Sequence, residues 1–203
     1  MFLTISFYPI LRLKPFDQLR ISMIESGKRR NIVLIGFMGA GKSVTGRYLA
    51  AKLKCEMIST DECVERMEGR SILVIFKESG ENYFRQCEAK VVDSIYQKDN
   101  LVVDCGGGII LNKKNIVKLK QKGFLIYLKT SPEVVYQRVK HNLNRPLLNT
   151  PNPQQKIRQL LEERLPLYQQ AEYVVDTDGK TAEQVGEEIL KLLSGKQDSR
   201  PKT

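Results

Sequence analysis

The chain has 203 residues, 41% hydrophobic and 28% charged, a balance that suits one folded domain and excludes collagen-like, membrane-embedded or composition-driven disordered classes. Its formal net charge is +10, yet Lys and Arg are dispersed without a run of five or six, which argues against a nucleic-acid stripe and suits anionic small molecules. The four cysteines form no C-x-x-C pair and His141 is the only histidine, so neither a zinc site nor a disulfide framework is legible, and reduced thiols in the cytoplasm are expected.

Residues 1–28 read as an N-terminal extension outside the core. The apolar run Phe2 to Tyr8 is interrupted by Pro9 and Arg12, with no basic segment before it and no small-residue cleavage site after it, so it resembles neither a signal peptide nor a membrane span. Met23 stands a natural distance before the first strand, as an alternative start would. That strand is the β-branched run Ile32-Val33-Leu34-Ile35, and it empties into Gly36-Phe37-Met38-Gly39-Ala40-Gly41-Lys42-Ser43. The spacing G-x-x-x-x-G-K-[ST] between a strand and a helix is that of a phosphate-binding loop. Its glycines let successive N–H groups, here from Gly39 through Val44, point into one concavity at a helix N-terminus. Lys42 would reach the β- and γ-phosphates of a nucleoside triphosphate, and the Ser43 hydroxyl would hold a magnesium ion bridging them.

Lys54 to Ile58 predicts a short second strand, and Ser59-Thr60-Asp61-Glu62 opens a helix with a capping-box pattern. Gly69 breaks that helix, Ser71 starts another through Phe76, and Ser79-Gly80 introduces a third from Glu81 to about Gln97. Leu101 to Asp104 is the third strand, followed by a hinge-like turn at Cys105-Gly106-Gly107-Gly108. A helix over 115–122, a strand over 124–128, and a helix opened by Ser131-Pro132 come next. Residues 140–153 carry the Asn, Arg, Pro and Thr of a loop, with His141 as one of its members. A helix over 154–170, a strand over 173–176, a helix over 181–193 and a disordered tail over 196–203 complete the chain. Strands alternating with helices predict an α/β fold, a five-stranded parallel sheet with helices on both faces, whose ligands collect at the carboxyl ends of the strands.

Several further segments, in order, resemble shikimate kinases, small members of the nucleoside-monophosphate-kinase-like group of P-loop NTPases. They are the loop itself, Thr60-Asp61, Gly80-Glu81-Asn82-Tyr83-Phe84-Arg85-Gln86-Cys87-Glu88, Gly106-Gly107-Gly108, Arg145-Pro146-Leu147-Leu148, and Glu163-Arg164 before Leu167-Tyr168. The resemblance covers nearly all of residues 29–194. It implies one domain over 29–195, with acceptor-binding helices over about 60–97 and a mobile lid over about 139–152. It also implies transfer of the ATP γ-phosphoryl to the 3-hydroxyl of shikimate, with magnesium, in a cytoplasmic monomer binding neither nucleic acid nor membrane. By the same resemblance Arg85 and Arg164 bind the acceptor carboxylate, for which planar guanidinium forks are suited. Asp61 holds the ring hydroxyls and sits near the attacking oxygen, Gly107 and Gly108 offer backbone contacts, Arg145 closes over the phosphates and Arg138 stacks on adenine. Tyr83 and Phe84 read as core packing.

The chain departs from the family at Ser59, where shikimate kinases usually carry the first acid of Asp-x-Asp. Ser59 then caps its helix, and Asp104 at the end of the third strand is expected to supply the missing magnesium-shell carboxylate. The alternatives are a related kinase for another small acid such as gluconate, or a nucleotide-binding homologue with weakened metal binding.

Overall fold

The computed structural model describes residues 30–140 and 150–195. The first strand, β1 (Asn31–Ile35), is buried at every position, as a central parallel strand covered on both faces must be. It is followed by α1 (Lys42–Leu53), β2 (Glu56–Ser59), α2 (Thr60–Glu68), α3 (Ile72–Tyr96), β3 (Leu101–Asp104), a 3₁₀ turn (Ile109–Leu111) and α4 (Lys113–Lys122). The chain continues through β4 (Gly123–Lys129), α5 (Pro132–Val139), α6 (Pro153–Tyr168), β5 (Tyr173–Asp176) and α7 (Ala182–Gly195). All strand pairs are parallel and the sheet order is β2-β3-β1-β4-β5, so β1 and its loop lie at the centre.

Alternate residues of β1 feed two cores. Ile32 and Leu34 pack with Val102, Ile126 and Leu128 against Leu49 and Leu53 of α1 and Val185, Ile189 and Leu193 of α7. Val33 and Ile35 face Phe84, Val91 and Val92 of α3, Ile116 and Leu119 of α4 and Tyr168 of α6. Each fully buried aliphatic side chain contributes roughly 1.5–3 kcal/mol, so these two layers dominate stability. Tyr168 stacks on Tyr127 with ring centroids 4.7 Å apart and planes 2° from parallel. A third, smaller cluster joins Phe37 of the loop to Val135, Val139, Ile157 and Leu160, which seats α5 and α6 beside the phosphate-binding loop.

Caps explain where most helices begin. The Ser59 hydroxyl accepts from the Glu62 N–H at 3.3 Å, the Ser71 hydroxyl from Val74 at 3.4 Å and the Ser131 hydroxyl from Val134 at 3.4 Å. The third expected helix is present as the second half of α3, which kinks at Gly80 (φ 79°, ψ 170°), a backbone conformation that favours glycine. Arg70 ties the end of α2 to the residues just before that kink, donating to Glu68, Glu78 and the Ser79 hydroxyl, each at 3.1 Å.

Two expectations need correction. The second strand lies over Glu56–Ser59 instead of 54–58, because Lys54 adopts a left-handed conformation (φ 53°) to close α1. The helix expected over 115–122 starts earlier, at Lys113: the turn after β3 closes with the Ile109 N–H donating to the Gly106 carbonyl at 3.1 Å, and the 3₁₀ turn leads to Asn112, whose side chain caps α4.

Candidate functional site

The loop between β1 and α1 is built to receive an anion. Gly41 is the N-cap of α1 in a left-handed conformation (φ 88°), and no side chain caps the helix, so its first N–H groups are left for a ligand. The Lys42 ammonium is buried in the loop, donating to the Gly36 and Phe37 carbonyls at 3.0 Å each. This holds a fixed positive charge within reach of a phosphate.

The Ser43 hydroxyl donates to Asp104 Oδ2 at 2.5 Å. Asp104 is buried at the carboxyl end of β3, in register with Leu34 of β1 and Ser59 of β2. The expected pairing of Ser43 with Asp104 is therefore present, and both are hard oxygen donors of the kind magnesium prefers. Ser59 is occupied as a helix cap. Among the described residues no three His, Cys, Asp or Glu side chains cluster as a metal cage.

Across from the loop, the glycine run after β3 gathers the acceptor-site candidates. The Gly106 N–H donates to the Thr60 hydroxyl at 2.8 Å, tying the run to the start of α2 and hence to Asp61. A Cβ on Gly106 would collide with the Asp61 carboxylate and stand 3.2 Å from Glu88 Oε1. The Gly107 carbonyl accepts from Arg164 Nη1 at 3.4 Å and from the Tyr168 hydroxyl at 3.1 Å. A Cβ on Gly108 would lie 2.7 Å from the Arg85 guanidinium carbon. Asp61, Arg85 and Arg164 thus come from α2, α3 and α6 to one three-residue stretch of backbone.

Two acids hold Arg85. Its Nη2 donates to Glu81 Oε1 at 2.8 Å and its Nη1 to Glu88 Oε2 at 2.5 Å. Burial works against its charge, but Glu88 and then Glu81 outweigh burial and keep the guanidinium above its ordinary range. Glu88 is only 1% exposed; desolvation pushes its carboxyl up to about 7, opposed by Arg85 and reinforced by Asp61.

Arg138 donates to the Gly39 carbonyl at 2.9 Å and the Thr177 carbonyl at 3.4 Å, linking the phosphate loop to the turn after β5. Beside it the Thr130 and Thr177 hydroxyls pair at 2.7 Å, and Asp178 accepts from the Ser131 N–H at 3.2 Å. Arg145, His141, most of the expected lid, residues 1–28 and the tail over 196–203 lie outside the described residues. Phe84 is buried in the core and Tyr83 packs against it, both as expected, and the Tyr83 hydroxyl also reaches Glu68 at 2.9 Å.

The sequence reading assigned no role to Thr60, Glu88 or Tyr168, although each falls in a segment that carries the resemblance. Glu88 carries a detectable signal, for it falls four residues after Phe84 and four before Val92, an acid in the middle of an apolar helical stripe.

A family model described as shikimate kinase matches residues 38–194. The chain is 44% identical over 162 residues to a shikimate kinase of Caldanaerobacter subterraneus subsp. tengcongensis, covering 80% of this chain and 95% of that protein. It is 46% identical over 162 residues to one from Dehalococcoides mccartyi, covering 79% and 92%. Among solved structures, the shikimate kinase from Acinetobacter baumannii in complex with shikimate matches with a TM-score of 0.80 at 42% identity, covering 83% of this chain and 95% of that one.

Proposed function

Because the chain belongs to the shikimate kinase family, we propose how its own residues carry the phosphorylation of the shikimate 3-hydroxyl by ATP. That reaction is one step of the route to chorismate and the aromatic amino acids. The observation that carries the assignment of residues is the convergence of Asp61, Arg85 and Arg164 on the glycine run at the same end of the sheet as the phosphate-binding loop.

The backbone from Gly39 to Val44 cradles the ATP phosphates, and Lys42 exchanges its carbonyl partners for phosphate oxygens. Arg138 borders the base, and Arg145 is the further phosphate-binding arginine. The acceptor carboxylate lies on Arg85 and Arg164, whose guanidiniums fix the ring, while the Gly107 and Gly108 backbone approaches it without an intervening Cβ. Asp61 orients the 3-hydroxyl and accepts its proton as the new O–P bond forms and the bond to ADP breaks. Such transfer is loose, so positioning and charge supply most of the rate and the base only a modest part.

Ser43 and Asp104, hydrogen-bonded at 2.5 Å, fit a magnesium ion, which the Ser43 hydroxyl and the Asp104 carboxylate would hold. When bound, the ion neutralises charge on the phosphates. The domain spans 29–195, with acceptor helices over about 60–97 and a lid over about 139–152. The four cysteines are free thiols, in keeping with a reducing cytoplasm. Among the described residues no helix is long and apolar enough to cross a membrane. The proposed working unit is a monomer.

Coupled measurement of ADP release, with shikimate, with gluconate and without acceptor, tests the reading. Release dependent on shikimate is expected. Equal turnover with gluconate, which has a carboxylate but no ring, would refute the ring-hydroxyl assignment.

A further inference from the structure

Glu88 has no part in the transfer described above, yet it is the most deeply buried acid at the site. Its Oε2 takes the Arg85 Nη1 hydrogen bond, and its Oε1 is buried with no hydrogen-bond partner among the described residues. That oxygen points at Gly106, the residue whose face Asp61 also occupies. The ionisable groups around Glu88 are Arg85 and Glu81 on its own helix, Asp61 at the start of α2 and Cys105 after β3.

Charge sets the problem. With Glu81 and Glu88 both ionised, Arg85 and its partners carry a net charge of about −1, with Asp61 alongside, and an incoming carboxylate is repelled. Glu81 is on the surface, its side chain 55% exposed, and can turn into water when Arg85 changes partner. Glu88, 1% exposed, has no water to turn to. A buried carboxylate that loses its cation is costly unless it becomes neutral.

Resting on the assignment of Arg85 to the acceptor carboxylate, we propose that Glu88 is a positioning residue that makes acceptor binding proton-coupled. It holds the Arg85 guanidinium in place before the acceptor arrives, and it takes up one proton when the acceptor's carboxylate engages that guanidinium. The proton comes from solvent and sits on Oε1, and no covalent bond other than this O–H is made. Glu88 titrates near neutrality before binding, because burial raises its carboxyl to about 7. Drawing off Arg85 and adding a second anion both raise it further, so uptake occurs at and above that pH. The acceptor, whose own carboxyl is fully ionised there, binds more tightly at lower pH.

The test is calorimetric titration of shikimate into the full chain at pH 6 and pH 8, in buffers of different ionisation enthalpy. Near pH 8 uptake approaching one proton per bound shikimate is expected, with little at pH 6, and a dissociation constant roughly ten-fold weaker at pH 8 than at pH 6. In Glu88→Gln, which has the shape of the protonated acid, the uptake and the pH dependence both disappear. Binding at pH 8 without proton uptake, or the same uptake in Glu88→Gln, overturns the proposal and leaves the kinase reading intact. A chain that neither binds nor phosphorylates shikimate refutes that reading and with it the proposal. If the Gln variant does not fold, carboxyl-¹³C glutamate NMR of the unaltered chain decides. A glutamate titrating near neutrality and moving upward on adding shikimate supports the role, and the absence of one overturns it.

Discussion

Gly108→Ala separates stability from function. Gly108 has φ −101° and ψ −1°, which alanine adopts without strain, and the substitution restricts the unfolded chain. The added methyl would lie 2.7 Å from the Arg85 guanidinium carbon, well inside ordinary contact. What it meets is the far end of a flexible side chain, so the guanidinium retreats by about 1 Å while the core is untouched. Stability should therefore stay within ~1 kcal/mol of the parent, on either side. Misplacing a substrate-orienting group by that distance costs on the order of 100-fold in rate, so kcat/KM for shikimate should fall by about that factor. The nearest atoms to the methyl all belong to Arg85, whereas it is Gly107 that borders the phosphate loop, so the dissociation constant for ADP should not change. Urea denaturation, nucleotide titration and the coupled assay measure these three quantities. If Gly108→Ala keeps kcat/KM within a few-fold, Arg85 does not meet the acceptor over this glycine, and the carboxylate clamp loses its geometric support.

Arg85→Lys keeps the charge but not the planar fork, and a ring alcohol lacking the acid group leaves two guanidiniums unpaired; each should cost several powers of ten in kcat/KM, read in the same assay. Asp104→Asn should raise the magnesium concentration for half-maximal rate about ten-fold while the thermal midpoint stays near the parent's, and Ser59→Asp added to Asp104→Asn should restore it, as followed by Mn²⁺ binding in paramagnetic resonance. Asn31→Ala removes both the Nδ2 bond to the Lys98 carbonyl at 3.1 Å and the Oδ1 bond from the Leu101 N–H at 2.9 Å in a fully buried setting, a loss of roughly 2–3 kcal/mol by urea unfolding. Because Glu88 binds its proton more tightly when folded, its contribution to stability is present below its ordinary 4.5 and is lost as pH rises toward and through about 7. In Glu88→Gln that decline, on the order of 3 kcal/mol, should vanish from pH-dependent unfolding curves, and an unchanged slope would contradict a raised carboxyl.

The parallel sheet was legible because its central strands are unbroken apolar runs between glycines and caps, and the loop because its spacing has one physical use. Caps were legible too: Ser59, Ser71 and Ser131 each sit where their hydroxyls meet the third N–H. Less legible were features set by tertiary contact. No local pattern says that Lys54 must turn left-handed, or that Tyr168 must cross to the Gly107 carbonyl 61 residues away. The glycine run was legible as a place where something approaches the backbone closely, but not which groups do so: the Arg85 and Asp61 side chains lie where Cβ atoms would be. A sequence shows that a side chain is missing and leaves open whether a ligand, a neighbour or a turn needs the room.

The pairing of Ser59 with Asp104 across adjacent strands gives a physical meaning to the expectation that Asp104 takes over a magnesium-shell role from the Ser59 position. Register partners in a parallel sheet stand roughly 4.8 Å apart with side chains on the same face. An acid at either strand end therefore brings its charge to nearly the same place beside Ser43. Only one such acid can sit there cheaply, because two carboxylates so close would raise one another's proton affinity and weaken the very charge a divalent cation needs. A serine on β2 and an aspartate on β3 satisfy that limit as well as the reverse arrangement does. The serine retains a hydroxyl that caps α2, and α2 begins with the Thr60 that anchors Gly106 and the Asp61 beside it. In this chain the helix start is held by Ser59 and the negative charge next to the phosphate loop by Asp104, so the two tasks that one strand end would otherwise share fall to neighbouring strands.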